Sequence, residues 1–124
     1  MSRPRILIAD DEQHIVSLLS MTLRKRGYEV ITADNGERAL ELAKAFRVDL
    51  FITDQNMPGM SGFELASKLD ASIPVVMVTA RPEISCSDMT RLAAVIHKPF
   101  SPKDLAARVE SLIGPGAQTR EQSA

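Results

Sequence analysis

The chain has 124 residues and a mass of 13.6 kDa, with 44% hydrophobic and 25% charged residues, enough for one globular domain without disulfide or metal staples. A formal net charge of −1 leaves no basic footprint for nucleic acid or an anionic membrane surface, so any control of DNA must act through something else. Cys86 is the single cysteine, which excludes an internal disulfide and a Cys-rich metal site, and no apolar run reaches the roughly 18 residues of a membrane span.

The first element is an apolar run, Arg5-Ile6-Leu7-Ile8-Ala9, ending at Asp10. It reads as a strand buried on both faces. Before it, Met1-Ser2-Arg3-Pro4-Arg5 is too short for a signal peptide, so a cytoplasmic location is expected. From Glu12 to Arg26, Ile15, Leu18, Leu19 and Leu23 recur at helical spacing and predict an inward stripe, with Lys25, Arg26 and Gly27 closing the helix. Glu29 to Ala33 is a second strand. Asn35-Gly36 then starts a helix through Phe46, with Ala39, Leu40 and Ala43 inward.

Val48 to Thr53 predicts a third strand ending at Asp54. A loop containing Pro58, Gly59 and Gly62 leads to a short helix near Phe63 to Leu69, and Pro74 opens a strand over Val75 to Val78 that ends at Thr79. In the segment 80–94, Ser85 and Asp88 resemble a capping box and Met89, Leu92 and Ala93 supply a short apolar face, which predicts a brief helix. Val95-Ile96 is a fifth strand before Lys98-Pro99. Ser101, Pro102 and Asp104 start a last helix that Gly114 stops after Ile113. Residues 1–113 are thus expected to form the domain. The polar segment 114–124 is expected to be a disordered tail or the start of a linker.

Alternating strands and helices imply a mostly parallel sheet covered on both faces, with right-handed crossovers. Ligands of such sheets bind outside the C-terminal strand ends, where the strand order reverses. Asp10 and Asp11 follow the first strand, Asp54 the third, Thr79 the fourth and Lys98 the fifth. Two carboxylates about 5 Å apart repel by roughly 3 kcal/mol at an effective dielectric near 20, so three in one pocket call for a cation. Lys98 supplies one positive charge, and hard oxygen ligands suit Mg²⁺ for the rest. In that setting Asp54 is the candidate nucleophile, forming an aspartyl-phosphate, with Lys98 and Mg²⁺ stabilising charge on the transferring group and Thr79 donating its hydroxyl to a phosphate oxygen.

Asp10-Asp11 after an apolar strand, Asp54-Gln55-Asn56-Met57-Pro58-Gly59 with Gly62, Thr79-Ala80 and Lys98-Pro99-Phe100 closely resemble the receiver domains of response regulators, over residues 5 to about 113. The resemblance implies a flavodoxin-like doubly wound (βα)5 sandwich with strand order 2-1-3-4-5. It also implies a two-component phosphorelay in which Asp54 takes a phosphoryl group from a histidine kinase or phosphotransfer protein and a conformational switch controls an effector protein or domain. Direct binding of nucleic acid or membrane is not implied, autodephosphorylation is, and a homodimer is compatible with it. Residue by residue, Asp11 and Asp54 match direct Mg²⁺ ligands, the backbone carbonyl of Asn56 a third, and Asp10 a ligand acting through a metal-bound water. Thr79 matches the switch hydroxyl and Lys98 the family's lysine, and the Lys98–Pro99 bond is one that is often cis.

The family usually has an aromatic residue where Val95 stands and Gly-Ala where Arg91-Leu92 stands, and the span from Thr79 to Lys98 is short. These departures bear on how phosphorylation is read out rather than on the chemistry. Gln55 and Arg81 lie near positions that tune phosphate lifetime in the family, whereas His14, His97 and Cys86 read as ordinary residues. A Mg²⁺-dependent phosphohydrolase using Asp54 would need a general acid where Asn56 stands. The remaining alternative is a receiver-like interaction domain that works without phosphorylation.

Overall fold

Residues 3–80 and 92–116 are described by the structure, a computed structural model. In chain order they form β1 (Arg5–Ala9), α1 (Gln13–Lys25), β2 (Glu29–Ala33), α2 (Gly36–Ala45), β3 (Leu50–Asp54), α3 (Gly62–Lys68), β4 (Val75–Thr79), β5 (Ala94–His97) and α4 (Pro102–Ile113). The five strands make one sheet in the order β2-β1-β3-β4-β5 with every neighbouring pair parallel. This is the doubly wound arrangement expected of the sequence. Strand order reverses at β1, so a crevice opens between the C-terminal ends of β1 and β3.

The alternation of side chains along each strand divides the core in two. Ile6, Ile8, Leu50, Ile52, Val76 and Val78 face α1 and α4, meeting Leu19, Leu23, Leu105 and Val109. Leu7, Ala9, Phe51 and Val75 face the other way, against Ala39 of α2 and Leu65 and Ala66 of α3. Because β3 and β4 are buried along their full lengths, their ends are fixed platforms for whatever follows.

Local signals place the helix starts. Asn35 Oδ1 accepts from the Arg38 amide at 2.8 Å, and Ser101 Oγ accepts from Asp104 at 3.3 Å with Pro102 in the first turn. Ser61 caps α3 in the same way through the Glu64 amide at 3.1 Å.

Several expectations are corrected. The inward face of α1 is Val16, Leu19, Ser20 and Leu23; Leu18 is exposed and Ile15 only partly buried, because the helix is rotated relative to the plain leucine stripe. α2 stops at Ala45, since Phe46 takes an extended backbone. β3 begins at Leu50 rather than Val48 and includes Asp54; β4 includes Thr79; β5 is the longer Ala94–His97. Strand pairing carries β3 and β4 to Asp54 and Thr79, and β5 to the residue before Lys98. α3 starts one residue early, at Gly62. Of the brief helix expected within 80–94, residues 85–91 lie outside the described residues, as do Arg81 and Cys86, while Ala93 already donates to Val75 O at 2.8 Å.

After α4, Gly114 has φ +85° and its carbonyl accepts a 2.5 Å bond from the Tyr28 hydroxyl. Gly116 is buried so closely against the Arg26 carbonyl that a side chain there has no room. Among the described residues, no helix is long and apolar enough to cross a membrane.

Candidate functional site

The site is assembled from loops leaving β1, β3 and β5. Past the end of β1, the Asp10 amide still donates to Ala33 O at 3.1 Å, which holds Asp10 in line with the sheet. Its side chain is buried, and Oδ1 accepts from the Glu12 amide at 2.9 Å, a tight turn that brings Glu12 back over the strand end. Asp54, the last residue of β3, is paired with Val78 and buried.

The loop after Asp54 returns beneath it. Gly62 N donates to Gln55 O at 2.9 Å, and Phe63 N to Gln55 Oε1 at 3.1 Å. A Cβ on Gly62 would lie 2.5 Å from the Asp54 carbonyl oxygen. Only glycine allows that approach.

Lys98 follows β5, and its amide donates to Thr79 O at 2.8 Å. The Lys98–Pro99 peptide is cis, as the resemblance implies. The ammonium points into the crevice, with Nζ 2.8 Å from Glu12 Oε1, 3.5 Å from Asp54 Oδ2 and 3.7 Å from Asp10 Oδ2. Thr79 is fully buried at the end of β4, the strand beside β3.

The charges are strongly coupled. Burial pushes the Asp10 carboxyl above its ordinary value, and Asp54 and Glu12 add to this while the Glu12 amide and Lys98 oppose it. Glu12 is held below its ordinary value by its hydrogen bond and attraction to Lys98. Burial alone would lower Lys98, but Glu12, Asp10 and Asp54 together outweigh it and keep the ammonium more firmly protonated than a free lysine.

One carboxylate oxygen each from Asp10, Glu12 and Asp54 lies within 4.8 Å of the others. Among the described residues, the buried carboxylates of Asp10 and Asp54, which Lys98 meets only at ion-pair range, form a hard-oxygen pair that fits a divalent cation, while the exposed Glu12 is engaged by the ammonium.

Of the residues singled out from the sequence, Asp10, Asp54 and Lys98 are brought together, and Thr79 ends the neighbouring strand. Asp11 and Asn56 are exposed on the flanking loops, and Asp11 is outside the described group of converging carboxylates. Glu12 joins the converging carboxylates instead, bonded to Lys98, and was missed. Its signal was its position as the third acid of Asp10-Asp11-Glu12, directly before α1. His14 and His97 are exposed.

The family model described as the response regulator receiver domain matches residues 6–110. The chain is 37% identical over 115 residues to the alkaline phosphatase synthesis transcriptional regulatory protein PhoP of Bacillus subtilis, covering 88% of this chain and 48% of PhoP. It thus spans about half the length of the curated relatives it matches. Among solved structures, the response regulator TrrA of Thermotoga maritima, in complex with Mg²⁺-BeF, superposes with TM-score 0.81 at 34% identity, covering 88% of this chain and 98% of TrrA. The chemotaxis protein CheY4 of Vibrio cholerae superposes with TM-score 0.79 at 31% identity, covering 90% and 99%.

Proposed function

The chain belongs to the response regulator receiver domain family and is a two-component signalling domain, and from that premise we propose that Asp54 is its phosphoacceptor. The observation that carries the proposal is the convergence of Asp54 and Asp10 on Lys98 at the strand-order reversal. An Asp54 carboxylate oxygen forms a bond to phosphorus while the bond between phosphorus and the donor's imidazole nitrogen breaks, leaving its electron pair on the imidazole. The donor is a histidine kinase or phosphotransfer protein.

This chain's residues act by placement and charge. The Lys98 ammonium, within 3.5 Å of Asp54, neutralises negative charge on the arriving phosphoryl oxygens. Thr79, at the end of the adjacent strand, donates its hydroxyl to one of those oxygens. Asp11 and Asp54, with the Asn56 carbonyl, would hold Mg²⁺, and Asp10 would act through a water. When bound, Mg²⁺ supplies charge neutralisation and orientation to the phosphoryl oxygens.

The added charge of about −1.5 to −2 then reorganises the loops around the crevice, and hydrolysis by the domain itself resets them. PhoP is named as a transcriptional regulatory protein, and the present chain aligns with under half of it. Output through a further domain or an effector protein, in the cytoplasm, is part of this proposal.

The test is incubation with Mg²⁺ and a small acyl-phosphate donor, with the modification located by mass spectrometry. A single phosphoryl group on Asp54 is expected, absent in Asp54→Asn. Wild-type protein that remains unmodified would favour the phosphorylation-independent interaction domain.

A further inference from the structure

We propose that Glu12 is a positioning residue that holds the Lys98 ammonium in the unphosphorylated protein and releases it to the phosphoryl group on Asp54. The proposal rests on the phosphoacceptor reading of Asp54 and extends it to a residue that reading does not use.

Among the described residues Lys98 Nζ has three carboxylates within reach, and its hydrogen bond is to Glu12, at 2.8 Å. Asp54 and Asp10 stand at 3.5 Å and 3.7 Å, at ion-pair rather than hydrogen-bond range. The lysine side chain is only 16% exposed, so its stem is packed, and among the described residues its ammonium meets these three carboxylates. Glu12 differs from the other two acids. Its side chain is 46% exposed, and although it occupies the N-cap of α1 it makes no side-chain capping bond. Its backbone is anchored by the amide bond to Asp10 Oδ1.

The carboxylate is thus a tether on a fixed base, free to withdraw into water at little cost. A phosphoryl group on Asp54 carries more negative charge than Glu12 and lies deeper, where solvent screens less, so it wins the ammonium. Until then each arriving anion must displace Glu12 from Lys98. Glu12 therefore weakens binding of a phosphoryl-like anion and sets how readily the domain is loaded.

The test uses beryllofluoride with saturating Mg²⁺ as the phosphoryl mimic, and Mg²⁺ alone, titrated calorimetrically into wild type, Glu12→Gln and Glu12→Asp. The aspartate variant keeps the charge but lacks the methylene needed to span to Lys98. Both variants are expected to bind beryllofluoride about three- to fivefold more tightly, the size expected of a half-exposed ion pair. A residue that only supported the fold would loosen binding when replaced. The Mg²⁺ affinity of Glu12→Asp is expected to stay within about threefold of wild type.

Tighter binding in Glu12→Gln alone would mean that net charge acts rather than the tether, and would overturn the proposal. So would unchanged beryllofluoride affinity in both variants, or an about tenfold loss of Mg²⁺ affinity in Glu12→Asp, which would make Glu12 a metal ligand. If instead wild-type protein takes up no beryllofluoride and Asp54→Asn is indistinguishable from it, the phosphoacceptor reading itself fails.

Discussion

Replacing Gly62 by alanine tests whether the closeness of the β3–α3 loop to Asp54 is functional. The added methyl would lie 2.5 Å from the Asp54 carbonyl oxygen, 3.1 Å from Gln55 Cα and 3.0 Å from Met77 Cε. The methionine terminus can swing away, but the two backbone groups cannot. Asp54 is fixed in the ladder opposite Val78, and Gln55 O accepts the Gly62 amide at 2.9 Å. Forcing a methyl into such a gap costs about 1–3 kcal/mol. Alanine recovers less than about 1 kcal/mol in helix propensity, because Gly62 is the first residue of α3. Strain therefore wins by about 1–2 kcal/mol, which at this chain length lowers the melting temperature by about 4–8 °C. The relief must come from Asp54 and Gln55 moving by several tenths of an ångström, so phosphorylation from a small acyl-phosphate donor should slow about tenfold. Gly59→Ala is the control. Gly59 has φ +80° with open space around it, so alanine there costs about 1 kcal/mol of backbone strain without touching Asp54. Calorimetry on both variants, with phosphorylation rates followed by mass spectrometry, separates the two effects. Equal rates in the two variants, or a Gly62→Ala protein as stable as wild type, would refute the reasoning.

Other perturbations have signs fixed by the same geometry. Asp10→Asn keeps an acceptor for the Glu12 amide at 2.9 Å but removes a buried carboxylate that Asp54 and Glu12 repel. Without Mg²⁺ the variant should be about 1–2 kcal/mol more stable in urea unfolding, and it should lose most of the stabilisation that Mg²⁺ gives wild type. A destabilised variant would show that Lys98 already compensates Asp10 fully. Tyr28→Phe deletes the bond to Gly114 O and should cost about 0.5–1.5 kcal/mol. Burial, with Glu110 adding to it and Arg26 opposing, raises the Tyr28 phenol above 10.0, so the folded chain holds this proton more tightly than the unfolded chain. Its contribution is therefore complete below pH 10.0 and lost as pH rises through the raised value. Urea unfolding between about pH 8 and 11 should show a flatter alkaline limb in Tyr28→Phe.

The sequence made the topology legible because hydrophobic period and punctuation agree along the chain. Residues 6–9, 50–52 and 75–78 are continuous apolar runs followed by polar residues, and a parallel sheet carries such ends to one edge. Asp10, Asp54, Thr79 and Lys98 could therefore be gathered from chain order alone. Helix phase was harder to read. In α1 four leucine and isoleucine positions compete for a face that holds fewer, and tertiary packing chose Val16 and Ser20 while leaving Leu18 in water. Strand ends shifted for a related reason, since pairing extends a ladder past the last apolar residue.

The choice of partner for Lys98 was illegible in principle. Whether an ammonium bonds Glu12 at 2.8 Å or Asp54 at 3.5 Å is decided by side-chain rotamers and a tight turn at Asp10, on a scale finer than residue order expresses. The same scale bears on the output. Val95 pairs with Met77, whose terminal methyl lies at Gly62 beneath the Asp54 loop. A branched valine has stiff χ1 geometry and no ring to rotate, so this point of the sheet carries no swinging aromatic side chain. Thr79 ties the ends of β4 and β5 together, since its carbonyl receives the Lys98 amide at 2.8 Å. A shift of Lys98 from Glu12 to the phosphoryl group would thus pull directly on the last rung joining these two strands.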